Sequence, residues 1–392
     1  MRKIMVSLAA LSLAACATTE TTTDAAKPDV FATTPTQAIP VREQQVLFWD
    51  QATRDYRFAH MEDYFAGFDT TPAPKVRVLP AGKPFDAATV AKLDAYLASQ
   101  NAAGIMVLQD GKVRYEKYGL GFGPDGRWTS FSVAKSFTSS LLGAALKDGF
   151  IGSLSDPVTK YLPALKGTAY DGVTVEQIAT MTSGVKWNED YADPKSDVAQ
   201  MLTVAPVDGE SQAVTYARKL TREAPAGSKW VYKTLETNLL GDIVTAATGQ
   251  SLAAYAKKKI VDPAGFAGGL FWMTDLTGSN IGGCCLSLHL SDYARMGQWV
   301  MEGGQPSEPE GWFAKAGSAQ VALGKGFGYG YQWWTYPDNV FGARGIFGQS
   351  ITIVPEQNLV VAIVSDWPVA SSDTYGTPRL KMIDAVRKAA AQ

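Results

Sequence analysis

The sequence predicts an α/β (α+β) fold in which one antiparallel sheet is built from both ends of the chain. Terminal helices flank the sheet, and a mostly helical region is inserted between its halves. Three observations carry this. Two strand-like runs between 104 and 118 meet at Asp110-Gly111. Two apolar, β-rich runs, Gly345–Val354 and Leu359–Ser365, lie near the other end. Between about 132 and 260 the apolar spacing is helical.

The elements follow in chain order. Arg2 and Lys3 precede an apolar stretch from Ile4 to Ala15 that is too short to cross a bilayer as a stable helix, so residues 1–15 read as a secretory signal. It ends in Leu13-Ala14-Ala15-Cys16, which resembles a bacterial lipobox. By that resemblance Cys16 carries lipid. Ala17 after it looks like a sorting signal for the outer membrane, facing the periplasm. An ordinary signal with an incidental cysteine is the alternative. Residues 16–44 are rich in Thr, Ala and Pro and read as a flexible tether. Residues 45–84 read as an irregular lead-in, and 85–390 as the main domain, with the helical region at about 132–260.

Phe85–Gln100 has helical periodicity with Asp86 as its cap. Asp-Gly between Gly104–Leu108 and Lys112–Tyr118 is a strong hairpin signal. Pro355–Asn358 separates two neighbouring antiparallel strands, and a closing helix runs from about Pro378 to Ala390.

Composition excludes several function classes. The 392 residues carry a net charge of −2, which gives no electrostatic basis for binding nucleic acid or acidic lipids. No run of 18 apolar residues exists, so the expected membrane contact is the N-terminal lipid alone. Two histidines, His60 and His289, and two adjacent cysteines beyond Cys16 supply no metal-ligand cluster. No metal or organic cofactor is implied. Oligomeric state is left open.

The chemistry sits in Phe131–Leu146. Its one charge is Lys135, in a helix apolar on all sides and therefore buried. A lone buried lysine is costly unless it is paired or used. Ser132 and Lys135 are one turn apart on the same face. A serine hydroxyl needs a base beside it, and a lysine can serve if desolvation lowers its pKa from about 10 towards neutrality. Backbone N–H groups at the helix start point where an oxyanion would form. The spacing alone is weak, because Ser183-Gly-Val-Lys186 repeats it in loop-like sequence.

Several motifs in order make the case stronger. Ser132-Val-Ala-Lys135 is followed by Val175–Gly184, then Trp187-Asn-Glu-Asp-Tyr191, then Pro225–Tyr232, then Gly345-Ile-Phe-Gly-Gln349. Together they resemble the serine β-lactamase and penicillin-recognising family in its class C and D,D-peptidase branch. Within it the chain is most similar to the 6-aminohexanoate-dimer hydrolases and β-lactamase-like esterases. The resemblance implies Ser132 as nucleophile, Lys135 as proton acceptor and Tyr232 as the catalytic tyrosine. It implies an oxyanion hole from the N–H groups of Ser132 and Gln349. It assigns Tyr191 to the substrate amide, with packing as the alternative role. Gly348 would let backbone approach substrate, and Trp187, Trp333 and Trp334 either wall an acyl pocket or pack in the core. The polar partner at Thr234 is left unassigned. Ile346 stands where β-lactamases carry a cation that holds the substrate carboxylate, and Arg344 is close enough to substitute. Cys284 and Cys285 are either plain structural residues or a vicinal disulfide.

The resemblance therefore implies hydrolysis of a small-molecule amide or ester through an acyl-enzyme. A β-lactamase or D,D-carboxypeptidase is the enzymatic alternative. A non-catalytic envelope lipoprotein keeping this fold is the alternative of another class.

Overall fold

A computed structural model describes residues 28–392, so the signal at 1–15 and Cys16 lie outside the described residues. The described part of the expected tether is structured. Val30–Thr33 (β1) pairs antiparallel with Gly67–Thr70 (β2). The expected irregular lead-in contains a helix, Gln51–Arg57 (α1), whose Asp50 cap accepts from the Thr53 N–H at 2.8 Å. Phe58 and Met61, just after it, are fully buried. The apolar residues here are spread over several short elements that pack against distant parts of the chain, so they keep no single period.

α1 is tied to the far end of the sequence through Arg54. Its Nε donates to Asp366 at 2.9 Å and its Nη1 to the Trp49 carbonyl at 2.6 Å. The guanidinium lies 4.9 Å above the Phe347 ring. Burial pushes the Asp366 carboxyl up to about 7, with Arg54 pulling it the other way.

The predicted helix forms as Ala87–Ser99 (α2), opened by Asp86, which accepts from the Thr89 N–H at 2.9 Å. Ala102–Gln109 (β3) and Lys112–Tyr118 (β4) make the predicted hairpin. Asp110 and Gly111, at φ 50° and 71°, take the left-handed conformations that a tight two-residue turn needs to match the strand twist. Trp128–Thr129 (β5) leads through a 3-10 turn, Phe131–Val133, into Ala134–Lys147 (α3). Every residue of α3 from Ala134 to Ala145 is buried, as its all-round apolar sequence requires. Thr234–Thr248 (α4) packs on it.

Phe271–Met273 (β6) and Leu286–Leu288 (β7) precede Leu290–Met301 (α5). Val321–Gly324 (β8), Phe327–Tyr329 (β9), Trp334–Thr335 (β10), Phe341–Arg344 (β11), Ser350–Val354 (β12) and Leu359–Ser365 (β13) follow. Asp373–Ala390 (α6) closes the chain.

The main sheet has the order β4-β3-β13-β12-β11-β10-β9-β8 and is antiparallel throughout. β3 pairs with β13, with Ile105 opposite Ile363, so both ends of the chain share one sheet. Alternation sorts the side chains by face. Ile105, Val107 and Ile363 pack with Leu93 of α2 and Met382 and Val386 of α6. Met106, Leu108 and Ala362 join the larger core with Tyr293 and Met296 of α5.

Three further features differ from expectation. A second sheet, β1-β2-β6-β7-β5, has strands of two to four residues, too short to show a period of two. Gly345–Gln349 is a turn between β11 and β12, and the strand begins at Ser350. The closing helix starts at Asp373, capped by Ser372, with Pro378 inside it. A proline there forgoes the bond its missing N–H would have made and crowds the Thr374 carbonyl one turn back.

Replacing Arg54 by Ala leaves the Asp366 carboxyl buried without its partner. The expected cost is about 3–5 kcal/mol in denaturant unfolding. A loss below about 1 kcal/mol, the range of an exposed pair, would mean that the lead-in is not anchored this way.

Candidate active site

The site is built where α3 begins. Ser130 donates its N–H to the Leu286 carbonyl at 2.7 Å, and its hydroxyl accepts from the Leu286 N–H at 2.9 Å. These bonds fix the turn to β7. Phe131 follows at φ 42°, a conformation costing roughly 1–3 kcal/mol for a side chain of this size. Its ring is held between Phe58 at 4.9 Å and Phe347 at 5.2 Å. Ser132 is the next residue. Its N–H donates to no other group among the described residues.

Lys135, one turn on, is 1% exposed. Its Nζ donates to Thr234 Oγ1 at 3.0 Å and to the Gly283 carbonyl at 2.7 Å. Burial pushes the amine down to about 7, and the charge of Glu189 opposes that shift. Both direct partners are neutral oxygens, so they can accept from the amine in either protonation state.

Tyr232 lies beneath the amine, which sits 5.4 Å from its ring centroid. The ring stacks on Trp334 at 5.6 Å and meets Tyr329 edge-on at 6.1 Å. Burial, and next the Glu189 charge, raise the phenol's pKa, while the Ser132 side chain acts in the opposite direction. The phenol is therefore protonated at neutral pH and able to donate.

The 345–349 turn supplies a second free donor. Phe347 and Gly348 take φ 58° and 100°. The Gln349 side chain locks the turn: its Nε2 donates to the Ser365 carbonyl at 2.8 Å and its Oε1 accepts from the Ser365 N–H at 2.8 Å. The Gln349 N–H, like that of Ser132, donates to no other group among the described residues.

The sequence reading missed Glu189 and the role of Thr234. Glu189 Oε2 accepts from the Thr234 N–H at 3.0 Å, and Oε1 accepts from Tyr191 Oη at 3.0 Å. The Thr234 hydroxyl and the Trp187 indole N–H also donate to this carboxylate. A chain of hydrogen bonds thus runs from Lys135 through Thr234 to Glu189. Glu189 lies between Trp187 and Tyr191 in the sequence, and Thr234 lies two residues after Tyr232. Asn238 holds Gly283 by accepting its N–H at 2.7 Å. Cys284 and Cys285 are bonded as a vicinal disulfide, S–S 2.12 Å, directly after Gly283.

A cavity of about 270 Å³ opens beside Ser132, and Tyr191, Thr234, Cys284, Cys285 and Ile346 contribute to its walls. The structure brings Ser132, Lys135, Tyr232 and Tyr191 together. It separates three expected substrate residues from the cavity. Gly348 is needed because φ is positive and because a Cβ would lie 2.5 Å from Trp367 Nε1, so the close neighbour is Trp367. Trp187 orients Glu189 and packs edge-on against Tyr216 at 6.2 Å. Arg344 lies over Tyr336 at 4.5 Å and Trp334 at 5.4 Å, outside the cavity, where the two ring faces attract its guanidinium. Trp333 is core, between Phe313 and Phe341. The second Ser-x-x-Lys is no site: Ser183 is buried on Glu236, and Lys186 is exposed.

The family model described as beta-lactamase matches residues 90–273. The 6-aminohexanoate-dimer hydrolase of Paenarthrobacter ureafaciens is 31% identical over 289 residues, covering 67% of this chain and 72% of that protein. A solved Bacillus anthracis structure described as a 6-aminohexanoate-dimer hydrolase superposes with a TM-score of 0.78 at 22% identity, over 89% of this chain and 97% of that one. EstCE1, described as a hydrolase with promiscuous acyltransferase activity, superposes with a TM-score of 0.63 at 14% identity, over 76% and 98%.

A base with a pKa of about 7 makes turnover rise with pH through that value, since only neutral Lys135 accepts a proton. Glu189→Gln removes the charge that favours the ammonium form, so the acid limb of kcat/KM is expected to move to lower pH. A variant that is slower at every pH with an unmoved limb would assign Glu189 a purely structural role.

Proposed function

The chain belongs to the serine beta-lactamase family as a hydrolase related to 6-aminohexanoate-dimer hydrolase, and from that premise we propose that it cleaves an amide or ester through an acyl-enzyme on Ser132. Neutral Lys135 takes the Ser132 proton, assisted by Tyr232, as the hydroxyl oxygen attacks the carbonyl carbon. Charge develops on the carbonyl oxygen and is met by the N–H groups of Ser132 and Gln349. Tyr232 returns the proton to the leaving amine or alcohol. Water then attacks the acyl carbon by the same route and frees the acid.

One observation carries this reading: Lys135 is an amine one turn from Ser132, 1% exposed and bonded directly to neutral oxygens. Desolvation without a directly paired carboxylate favours the neutral, basic form. The apolar Ile346 favours linear amides and esters over β-lactams. Its side chain borders the cavity and offers no charge to a lactam carboxylate.

Ser132→Ala is expected to abolish turnover of short acyl esters and linear amides, together with labelling by a fluorophosphonate, without lowering the melting temperature by more than a few degrees. Turnover surviving in this variant would refute the assignment. Nitrocefin cleavage exceeding ester cleavage in the unaltered protein would favour the β-lactamase alternative.

A further inference from the structure

The cavity beside Ser132 has a wall that neither the main sheet nor the helical region provides. Pro35, Ala38, Val41 and Gln44–Phe48 run along it. This segment is fastened along its length. Upstream, β1 pairs with β2. The Gln37 N–H donates to the Asp63 carbonyl at 2.8 Å, and Gln44 Nε2 to the Ile39 carbonyl at 3.2 Å. Trp49 Nε1 donates to the Glu43 carbonyl at 2.6 Å, and Trp49 is itself buried. Val198, Met201, Leu202, Met273 and Ile281 add further apolar lining.

Charge is scarce in this space. Among the described residues that line it, no lysine or arginine occurs, and the one carboxylate is Asp275. Asp275 is already engaged, accepting N–H groups from Thr277 at 2.8 Å and Gln212 at 2.9 Å. A substrate carboxylate buried here would meet no cation among the described lining residues, a costly arrangement.

The position of Tyr232 decides which half of the substrate enters. Its hydroxyl donates to the leaving group, so the leaving group extends towards Tyr232. Ser132 and Tyr191 line the cavity, whereas Tyr232 and Trp334 do not. The acyl half is therefore the part directed into it. A cavity of about 270 Å³ has room for an acyl chain well beyond acetyl.

We propose that residues 35–48 are a specificity-determining wall of an acyl pocket, and that the acyl group is an aliphatic chain of medium length that carries no carboxylate. This rests on Ser132 as the acylated nucleophile. In the reaction the bond from Ser132 Oγ to the acyl carbon forms as the bond to the leaving oxygen or nitrogen breaks, with the serine proton passing to the leaving group. Water then supplies hydroxide to the acyl carbon and a proton to Ser132.

The test is kcat/KM of the full chain for p-nitrophenyl esters from acetyl to dodecanoyl, with an adipate mono-ester as the charged counterpart of hexanoyl. The expected profile rises at least tenfold from acetyl to hexanoyl or octanoyl and falls by dodecanoyl. The adipate ester is expected to be at least tenfold slower than hexanoyl. Leu47→Trp, which fills the pocket from the 35–48 wall, should lower the octanoyl-to-acetyl ratio at least tenfold. Leu47→Ala, which carries no risk of overpacking, should move the optimum to longer chains. A flat chain-length profile, or a ratio unmoved by both variants, overturns the acyl pocket while fluorophosphonate labelling of Ser132 still stands. Loss of that labelling in the unaltered protein strikes the acyl-enzyme reading itself.

Discussion

A buried amine held by two neutral oxygens is the constraint on which the rest of this molecule depends. Lys135 is shut away from bulk solvent and has no carboxylate in direct contact. Lowering its pKa from 10.5 to about 7 corresponds to a cost on the order of 5 kcal/mol at pH values below about 7. Between those values the unfolded chain binds a proton that the folded chain does not, so this contribution to stability improves as pH rises across the window and is worst below about 7. The fold offsets the cost through the all-round burial of α3 and its packing on α4. Such a cost at one residue is expected where reactivity requires it.

Glu189 refines that balance. Through Thr234 it places a negative charge within reach of the amine but not against it. A direct ion pair would hold Lys135 as an ammonium and remove its basicity, whereas no charge at all would let the pKa fall further. The intervening hydroxyl keeps the effect partial. The same carboxylate accepts from Tyr191 and Trp187, so one residue sets both the electrostatics of the amine and the position of a cavity-lining phenol. On the other side of Ser132, Phe58, Phe131 and Phe347 come together in one aromatic cluster. Phe131 precedes Ser132, and Phe347 belongs to the turn ending in Gln349, so the two free N–H groups are registered by ring packing that includes the N-terminal lead-in.

The parts legible in the sequence are those with a long period or a stereochemical punctuation. Asp110-Gly111 announced its hairpin, Asp86 its helix, and an apolar helix with one lysine announced the site. What stayed hidden was built from distant pieces. The 30–84 region alternates too briefly to show a period, yet it supplies β1, β2, α1 and a wall of the cavity. Glu189 and Thr234 are ordinary residues in sequence and gain meaning only when α4 packs on α3. Closeness along the chain suggested a substrate contact for Arg344, and its side chain lies over the rings of Trp334 and Tyr336, outside the cavity beside Ser132.

The most direct measurement is a titration of the Lys135 side chain itself, by NMR of protein carrying isotope-labelled lysine, with Lys135→Arg used to assign its resonance. The account requires a midpoint near 7, set apart from the exposed lysines of the same molecule. A midpoint near 10.5 would show an amine charged throughout the working range and would contradict its role as the base.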